Sequence, residues 1–186
     1  MIIKELFQVR DQAEQLFCRK EIDSALLKQA EAINKFLSGL NSNALPPLLL
    51  PVMNGGLIYA GQILPLITVP VQVDYIHATR YRNTTQGFEL EWKVYPQHEL
   101  KDRVVIVLDD ILDEGYTLDA IVNYCKQQQV ETVKSSVLVT KEHDRRDKAI
   151  VADFSAMTVP DKYVFGFGMD YKGQLRNLDA IYALKK

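Results

Sequence analysis

The sequence predicts a single α/β domain, built as a mainly parallel twisted sheet flanked by helices. Two apolar runs, residues 47–52 and 104–108, are short and lack polar alternation, which is typical of strands covered on both faces. Elsewhere, apolar residues recur at helical spacing between such runs. Strands and helices therefore alternate along the chain, and this alternation is the pattern of parallel α/β sheets.

The first part of the chain is expected to supply three helices. Charged and apolar residues mix over residues 1–17, which indicates an amphipathic helix rather than a signal peptide or a membrane span. A second helix is expected to begin with Asp23 as its N-cap and to end at Gly39. A third is expected over residues 57–64, after an Asn-Gly-Gly turn. The predicted buried face of the second helix consists of Leu26, Leu27, Ala30, Ile33 and Leu37.

The rest of the chain is expected to supply a hairpin, a fourth helix and the remaining strands. Alternation over residues 69–77 indicates a strand that pairs with 88–94, and the polar segment 80–87 between them would be a long mobile loop. Strand 104–108 leads through an acidic, glycine-bearing loop into a helix. One side of that helix carries Leu118, Ile121, Val122 and Cys125. The strands that complete the sheet are residues 135–140 and 162–167.

Length and composition limit the classes of protein that fit. At 186 residues with 47% apolar side chains, the chain can bury one sizeable core. Its net charge of -2 lacks the basic excess of most nucleic-acid binders, so we expect neither a nucleic-acid nor a membrane partner. Cys18 and Cys125 form no CxxC pair, which suggests no disulfide framework or zinc site and fits a reducing, cytoplasmic location.

Several common active-site motifs are missing from the sequence. The dinucleotide pattern GxGxxG fails because Tyr171 stands where its third glycine is needed. The patterns GxxxxGK[ST], GxSxG and HExxH do not occur. The acidic run after residue 109 also fails as a calcium loop, because Leu112 and Ile121 occupy ligand positions there.

The acidic loop itself carries the strongest chemical signal. Residues 104–118 place Asp109 and Asp110 at the end of a buried strand, followed by a short loop that opens a helix. The N–H groups and positive dipole of a helix start favour a phosphate, whereas paired carboxylates accept hydrogen bonds from hydroxyl groups. A ribose 5-phosphate offers both partners. Neighbouring strand residues normally point to opposite faces, so both carboxylates could serve one ligand only if the backbone turns here.

This segment resembles the phosphoribosyl diphosphate signature of the type I phosphoribosyltransferases. Other segments resemble, in the same order along the chain, further parts of the hypoxanthine-guanine branch of that family. Residues 53–56 resemble its pyrophosphate loop. Residues 73–75, together with Arg80 and Tyr81, resemble its strand and flexible loop. The segments that resemble the purine-binding half of the family are residues 141–145, 161–164 and 166–171. The resemblance covers residues 48–184 and implies one domain over 1–186, with a core of about 40–160 and a small hood from the N-terminal segment and about 161–186.

The resemblance also implies the reaction: a 6-oxopurine base takes the phosphoribosyl group of 5-phosphoribosyl 1-diphosphate in the presence of Mg²⁺, and pyrophosphate leaves. Phosphoribosyl diphosphate would be bound by Asp109, Asp110, Asp113, Glu114, Gly115, Tyr116, Thr117, Asn54, Gly55 and Arg176. The purine would be bound by Lys141, Tyr163, Val164 and Asp170, and Mg²⁺ by Asp109, Asp110 and Asp170. Asp113 would be the catalytic carboxylate near purine N7, and a homodimer or homotetramer is expected.

Two positions depart from the family pattern. Asn54 stands where most relatives carry a basic residue, so the pull on the diphosphate should be weaker. Glu114 replaces a small hydroxyl residue and adds negative charge beside the expected phosphate. The family often has a cis peptide bond in the pyrophosphate loop, which would lie at Met53-Asn54 here.

Alternatives remain open at this level. The specificity could be for xanthine and guanine, and the two departures would also fit a non-catalytic regulator that senses phosphoribosyl diphosphate. A third hypothesis is a structural or interaction protein that binds no ligand. Taken alone, Lys141 would be a solvated strand end, Tyr163 a core residue and Asp113 a helix cap. His143 is expected in a surface turn, and His77, His98 and Trp92 receive no role.

Overall fold

The computed structural model describes residues 2–41, 44–80, 90–144 and 150–185, without the side chain of Arg80. The helices are α1 (Ile3–Gln12), α2 (Arg19–Ser38), α3 (Gly56–Ile63) and α4 (Tyr116–Gln127), with a 3₁₀ turn at Leu64–Leu66. The strands are β1 (Glu14–Phe17), β2 (Leu48–Pro51), β3 (Gln72–Val73), β4 (His77–Arg80), β5 (Leu90–Val94), β6 (Val104–Leu112), β7 (Thr132–Glu142), β8 (Phe154–Pro160), β9 (Val164–Phe165) and β10 (Ile181–Ala183). Among these helices, none has the length and apolar character needed to cross a membrane.

Five strands form a parallel sheet in the order β3-β2-β6-β7-β8, which confirms the predicted α/β class. β6 lies at its centre, with β2 on one side, from Leu48 opposite Val105 to Pro51 opposite Leu108. β7 runs along its other side over the whole length of β6. Every side chain of β2 is buried, as an unalternating apolar run predicts.

Helices cover both faces of this sheet and create two apolar cores. Ile106 and Leu108 of β6 pack on the side that carries α2 and α3. Val105 and Val107 pack on the opposite side against α4. Because alternate residues of β6 enter different cores, both must be apolar, and this explains the absence of polar alternation in residues 104–108.

The last predicted strand does not join the parallel sheet. Only Val164–Phe165 is extended, and this short strand pairs with β10, which also pairs with β1, in a small antiparallel sheet. The fifth parallel strand is instead β8, which is not among the strands predicted from the sequence. β8 is an edge strand, and its exposed Ser155 and Thr158 interrupt the apolar pattern by which strands are recognised.

The N-terminal elements also differ from expectation. Residues 14–17 form a strand rather than a helical extension, because their backbone pairs with β10. α2 begins at Arg19, and the Glu21 carboxylate accepts the N–H of the N-cap Cys18 at 2.8 Å. Asp23 therefore lies inside the helix, and Leu27 is 53% exposed because it falls on the outer side. The predicted end at Gly39 is confirmed.

The single strand predicted over 69–77 is broken in two at Asp74. Its carboxylate accepts the backbone N–H groups of Tyr75, Gln97 and His98 and also contacts His98 Nδ1 at 2.9 Å. These bonds turn the chain between β3 and β4. The hairpin partner of β5 is consequently β4, from His77 opposite Val94 to Arg80 opposite Leu90, so His77 is the one residue of the predicted strand 69–77 that pairs with β5. Burial raises the pKa of Asp74, but the hydrogen bonds from His98, Tyr75 and Gln97 outweigh it and lower that pKa overall.

Replacing Asp74 with Asn should lower the free energy of unfolding by about 2 to 4 kcal/mol, because donors that met a buried carboxylate would lose their acceptor. The native pKa is depressed, so this stabilisation is present above the unfolded value of about 4 and is lost as pH falls through the native pKa. Urea unfolding of both proteins at pH 7 and pH 3 measures it. The exposed Asp102, changed to Asn, is the control and should shift stability by less than about 0.5 kcal/mol. A difference for Asp74→Asn that is the same at both pH values would contradict this account.

Candidate active site

The strand order locates a crevice at one edge of the parallel sheet. From β2 the chain crosses through α3 to β3 on one side, whereas from β6 it crosses through α4 to β7 on the other. The order therefore reverses between β2 and β6, and ligands of open α/β sheets bind outside the carboxyl ends of the strands at such a point. The predicted site residue Asn54 follows β2, and Asp109 and Asp110 lie in the last part of β6.

The acidic pair lies within β6 rather than after it. The strand continues to Leu112 because β7 remains paired alongside, with Leu112 opposite Thr140. β2 is paired only as far as Leu108, so from Asp109 onward one side of β6 meets the loop that follows β2. The expected backbone turn at the pair is absent, because β6 stays extended here. Instead the Asp109 carboxylate accepts the N–H of Asp110 at 2.9 Å, and this brings the two carboxyl groups together.

The two carboxyl groups are poorly disposed to carry two negative charges. Burial raises the pKa of Asp109 well above its usual range, and the neighbouring charge of Asp110 raises it further. Burial also raises the pKa of Asp110, partly offset by the Asp109 hydrogen bond and by Arg176, whose Nη1 lies 3.7 Å from Asp110 Oδ2. A bound cation or a set of hydroxyl donors would stabilise the ionised pair.

The glycine-bearing turn after β2 packs directly against this pair. The Met53-Asn54 peptide bond is cis, as predicted. A Cβ atom at Gly55 would overlap the Asp110 carboxylate, and one at Gly56 would lie 2.6 Å from the Leu108 carbonyl oxygen. Only glycine permits this approach at both positions, while Asn54, the residue before Gly55, is exposed.

The loop between β6 and α4 has the geometry of an anion cradle. Gly115 is the N-cap of α4 and adopts a left-handed φ of 90°, which residues with a Cβ rarely adopt. The N–H of Asp119 makes a backbone bond to the Gly115 carbonyl oxygen at 2.9 Å. Tyr116 and Thr117 form the first turn, where N–H groups and the helix dipole favour a phosphate.

Asp113 is held by two side chains from the end of β7. Lys141 Nζ lies 2.7 Å from Asp113 Oδ2, and His143 Nε2 lies 2.7 Å from Oδ1. Burial raises the pKa of Asp113, but the hydrogen bonds and charges of Lys141 and then His143 outweigh it and lower the pKa below its usual range. Asp113 does not occupy the N-cap of α4, which is Gly115.

His143 follows β7, which ends at Glu142, as the predicted turn requires, but the prediction that it lies at the surface was wrong. Its side chain is only 2% exposed, against 10% for Lys141. Residues two apart on a strand share a face. Because His143 is two residues after Lys141 near the end of a predicted strand, the sequence could have indicated that both side chains point to the same side of the sheet. Lys141 is likewise a buried, paired residue rather than a solvated strand end.

Of the residues predicted to hold the base, Lys141 lies in β7 and the others follow β8. Lys141 pairs with Val159 of β8, and the chain then leads within four residues to Tyr163. Tyr163 is 47% exposed, so it is not a core residue, and its ring meets Tyr171 edge-on with centroids 5.6 Å apart. Val164 is buried in β9. The accessible ring of Tyr163 is available for stacking.

An arginine links the C-terminal segment to the acidic pair. Arg176 Nη2 lies 2.8 Å from Asp170 Oδ1, and its Nη1 donates to the Gly168 carbonyl oxygen at 2.5 Å. Asp170 Oδ2 also accepts the N–H of Gly173. A Cβ at Gly168 would overlap the carbonyl oxygen of Gly55. Three segments distant in sequence therefore meet at Asp110: the turn after β2, β6 and residues 168–176.

Part of the predicted flexible loop lies outside the residues that the structure describes. Tyr81 and residues 82–87 lie outside the described residues, as does Arg145 of the predicted purine-binding half. The backbone of Arg80 ends β4, opposite Leu90.

A phosphate cradle, a buried acidic pair and a glycine turn at the switch point of a parallel sheet are features of phosphoribosyltransferases of type I. Residues 23–173 match the family model of the phosphoribosyl transferase domain. Among solved structures, a Staphylococcus aureus hypoxanthine phosphoribosyltransferase superposes with a TM-score of 0.86 at 22% identity, over 95% of this chain and 94% of its own. A Trypanosoma cruzi hypoxanthine phosphoribosyltransferase in complex with the product IMP gives a TM-score of 0.85 at 25% identity, over 94% of this chain and 95% of its own.

Sequence relatives narrow the class further. A hypoxanthine-guanine phosphoribosyltransferase of Streptococcus pneumoniae is 28% identical over 172 residues, 92% of each chain. The enzyme of that description from Bacillus subtilis is 30% identical over 141 residues, 75% of this chain and 77% of its own. The chain belongs to the hypoxanthine-guanine phosphoribosyltransferase family.

Proposed function

We propose that this protein salvages purines by transferring the phosphoribosyl group of 5-phosphoribosyl 1-diphosphate to N9 of hypoxanthine or guanine. The products are IMP or GMP and pyrophosphate. The observation that carries the proposal is the contact of the buried Asp109 and Asp110 with the Gly55 turn, beside the start of α4. This arrangement offers acceptors for ribose hydroxyls and donors for phosphate within one crevice.

The sugar phosphate would lie along the end of β6. The N–H groups of residues 113–117 and the Thr117 hydroxyl bind the 5′-phosphate, and the Asp109–Asp110 pair accepts from the ribose hydroxyls. The diphosphate lies toward Asn54, Gly55 and Arg176. Arg176 is already oriented by Asp170 and the Gly168 carbonyl, so a charge-assisted bond to the diphosphate costs little further ordering.

The donor set suits Mg²⁺. Asp109, Asp110 and Asp170 offer carboxylate oxygens, the ligands that this ion prefers. Within the described ranges no three His, Cys, Asp or Glu side chains are grouped so as to hold a metal alone. Mg²⁺ commonly takes one or two carboxylates and completes its shell with water and substrate phosphates. When bound, the ion supplies charge neutralisation at the diphosphate.

The base would lie between β7 and the segment after β8. Lys141 donates to the O6 and N7 edge, Tyr163 stacks on the ring, and main-chain carbonyls of Val164 and Asp170 receive the ring N–H and the 2-amino group of guanine. Adenine would place an amino donor against the Lys141 donor. Leaving such groups unpaired costs about 1 to 3 kcal/mol each, so 6-oxopurines are preferred.

Asp113 is the proposed proton acceptor. As N9 bonds to C1′, the bond from C1′ to the diphosphate oxygen breaks, and the proton on N7 passes to the Asp113 carboxylate. In the structure Lys141 holds the pKa of Asp113 low. When Lys141 donates to the base instead, its charge moves away from Asp113 Oδ2, and the carboxylate becomes a better acceptor for the proton.

An assay of nucleotide formation with each of four bases tests the proposal. Phosphoribosyl diphosphate, Mg²⁺ and the purified protein are incubated with hypoxanthine, guanine, xanthine or adenine, and the nucleotides are separated. IMP and GMP are expected, and AMP is not, because Lys141 presents a donor to the 6-position. Turnover of adenine comparable to that of hypoxanthine would contradict this view of the pocket.

The absence of a cation at Asn54 leads to a second expectation. Asn54→Lys should tighten pyrophosphate binding by about 3- to 10-fold, because it adds a positive charge beside the proposed diphosphate position. Calorimetric titration of pyrophosphate with Mg²⁺ present measures the effect, and Asn54→Gln is the neutral control. An unchanged affinity in Asn54→Lys would show that residue 54 does not face the diphosphate.

Two other functions are distinguished by the same assay. Formation of XMP and GMP without IMP would indicate xanthine-guanine specificity. Binding of phosphoribosyl diphosphate without turnover of any base would indicate a sensing regulator, which the Asn54 and Glu114 departures favour. The expected cytoplasmic location, homodimer or homotetramer, and division into core and hood stay predictions.

A further inference from the structure

The cluster around Asp113 contains one side chain that the proposed reaction does not use. Lys141 and Asp113 both have roles at the base, whereas His143 has none. Its Nε2 nevertheless lies 2.7 Å from Asp113 Oδ1, and its side chain is 2% exposed. A buried imidazole aimed at the reacting carboxylate is a strong constraint on where that carboxylate can point.

The register of the sheet explains how His143 reaches this place. β6 and β7 are parallel, with Leu112 opposite Thr140, so the residues next along each strand, Asp113 and Lys141, lie at the same level. His143 is two residues beyond Lys141 and so shares its face. The two donors therefore approach Asp113 from one strand and divide its oxygens, with Oδ2 taken by Lys141 and Oδ1 by His143.

The chemistry of the contact assigns the hydrogen. The pKa of Asp113 is lowered, so the carboxylate is ionised at neutral pH and can only accept. Nε2 of His143 consequently carries the hydrogen atom and donates a hydrogen bond to Oδ1 of Asp113. Donation to one oxygen of a carboxylate fixes the plane of the group and leaves the second oxygen for another partner.

We propose that His143 is the positioning residue of Asp113: by holding Oδ1, it presents Oδ2 to purine N7 when Lys141 turns to the base. The inference rests on the proposed function, in which Asp113 accepts the purine proton. Without His143, departure of Lys141 would remove the second of the two side chains that orient the carboxylate oxygens. A misplacement of about 1 Å at a reacting group can cost about 100-fold in rate.

Two neutral amides test this role because they differ by one methylene group. In His143→Gln the amide nitrogen can occupy the position of Nε2 and still donate to Oδ1. In His143→Asn it reaches only the position of Nδ1 and cannot. We expect His143→Asn to lower kcat about 10- to 100-fold with KM for phosphoribosyl diphosphate changed less than about 2-fold, and His143→Gln to restore kcat to within about 3-fold of wild type.

A second background separates positioning from a general effect on the fold. In Asp113→Asn, whose proposed proton acceptor is already absent, adding His143→Asn should lower kcat by less than about 2-fold. An equal loss in both backgrounds, or a folded His143→Gln that is as slow as His143→Asn, would overturn the inference. Wild-type kcat in His143→Asn would overturn it too.

The outcomes also distinguish this inference from the proposed function. If the wild-type protein forms no nucleotide from any of the four bases, the proposed function fails before a variant is made. If the wild type forms IMP or GMP but the His143 variants behave otherwise than stated, only the role of His143 fails. Thermal unfolding of each variant confirms that the kinetic comparison is made between folded proteins.

Discussion

Replacing Asp113 with Asn should reduce turnover by about 10² to 10⁴-fold while leaving the affinity for phosphoribosyl diphosphate nearly unchanged. The amide keeps the shape of the side chain but cannot accept the purine proton. Lys141 and His143 are buried donors, and the amide leaves them one accepting oxygen between them, so the free energy of unfolding should also fall, by about 1 to 3 kcal/mol. The loss of activity should appear in kcat, measured at a temperature where the variant is folded.

Steady-state kinetics with hypoxanthine, together with thermal unfolding, measure both quantities. Asp102→Asn is the matched control, because Asp102 is exposed at the opposite end of β6 and its change should leave kcat unaltered. The reading of Asp113 as a helix cap already conflicts with Gly115 as the N-cap of α4. Wild-type turnover in Asp113→Asn would show that the proton leaves the base by another route.

Adding one methyl group at Gly55 should have an effect of similar size. The Cβ of an alanine there would overlap the Asp110 carboxylate, which is buried and lies near Arg176. Either the turn after β2 or the carboxylate has to move, and both belong to the proposed phosphoribosyl diphosphate site. We expect kcat/KM for this substrate to fall about 100-fold in Gly55→Ala.

Gly61 provides the control within the same segment of the chain. It lies in α3, is exposed, and an alanine Cβ there would meet nothing within 4 Å. Gly61→Ala should keep wild-type kcat/KM and raise the free energy of unfolding by about 0.4 to 1 kcal/mol, because alanine restricts the unfolded chain. Comparable kcat/KM in Gly55→Ala and Gly61→Ala would show that the close approach of Gly55 to Asp110 is not needed for activity.

The predicted elements that the structure confirms are those whose sequence pattern depends on neighbouring residues. Strands β2 and β6 were recognisable because both of their faces are buried, which removes polar alternation. The end of α2 at Gly39 follows from local backbone preferences. β8 was missed because an edge strand exposes part of its surface and mixes polar with apolar residues.

The candidate site divides in the same way. The acidic pair, the glycine turn and the cradle at Gly115 each occupy a short stretch in which residue type and order reveal the chemistry. The direction in which a side chain points at the end of a strand cannot be predicted from such a short stretch. His143 is placed against a carboxylate 30 residues away, and Arg103 is drawn to the Pro46 carbonyl 57 residues away, by contacts that no local pattern records.

Residue order along the chain was enough to predict the fold class, the two buried strands β2 and β6, the glycine-bearing loop that opens α4 and the family to which the chain belongs. Packing in three dimensions set the rest: β6 extends through Asp109 and Asp110, Asp74 divides a strand, Gly55 abuts Asp110, and His143 holds Asp113. Apolar periodicity, glycine conformation and helix ends are properties of neighbouring residues and can be read along the chain. Strand register and the pairing of buried polar groups depend on segments far apart in sequence, whose relative position is set only when the sheet and its two cores are packed together.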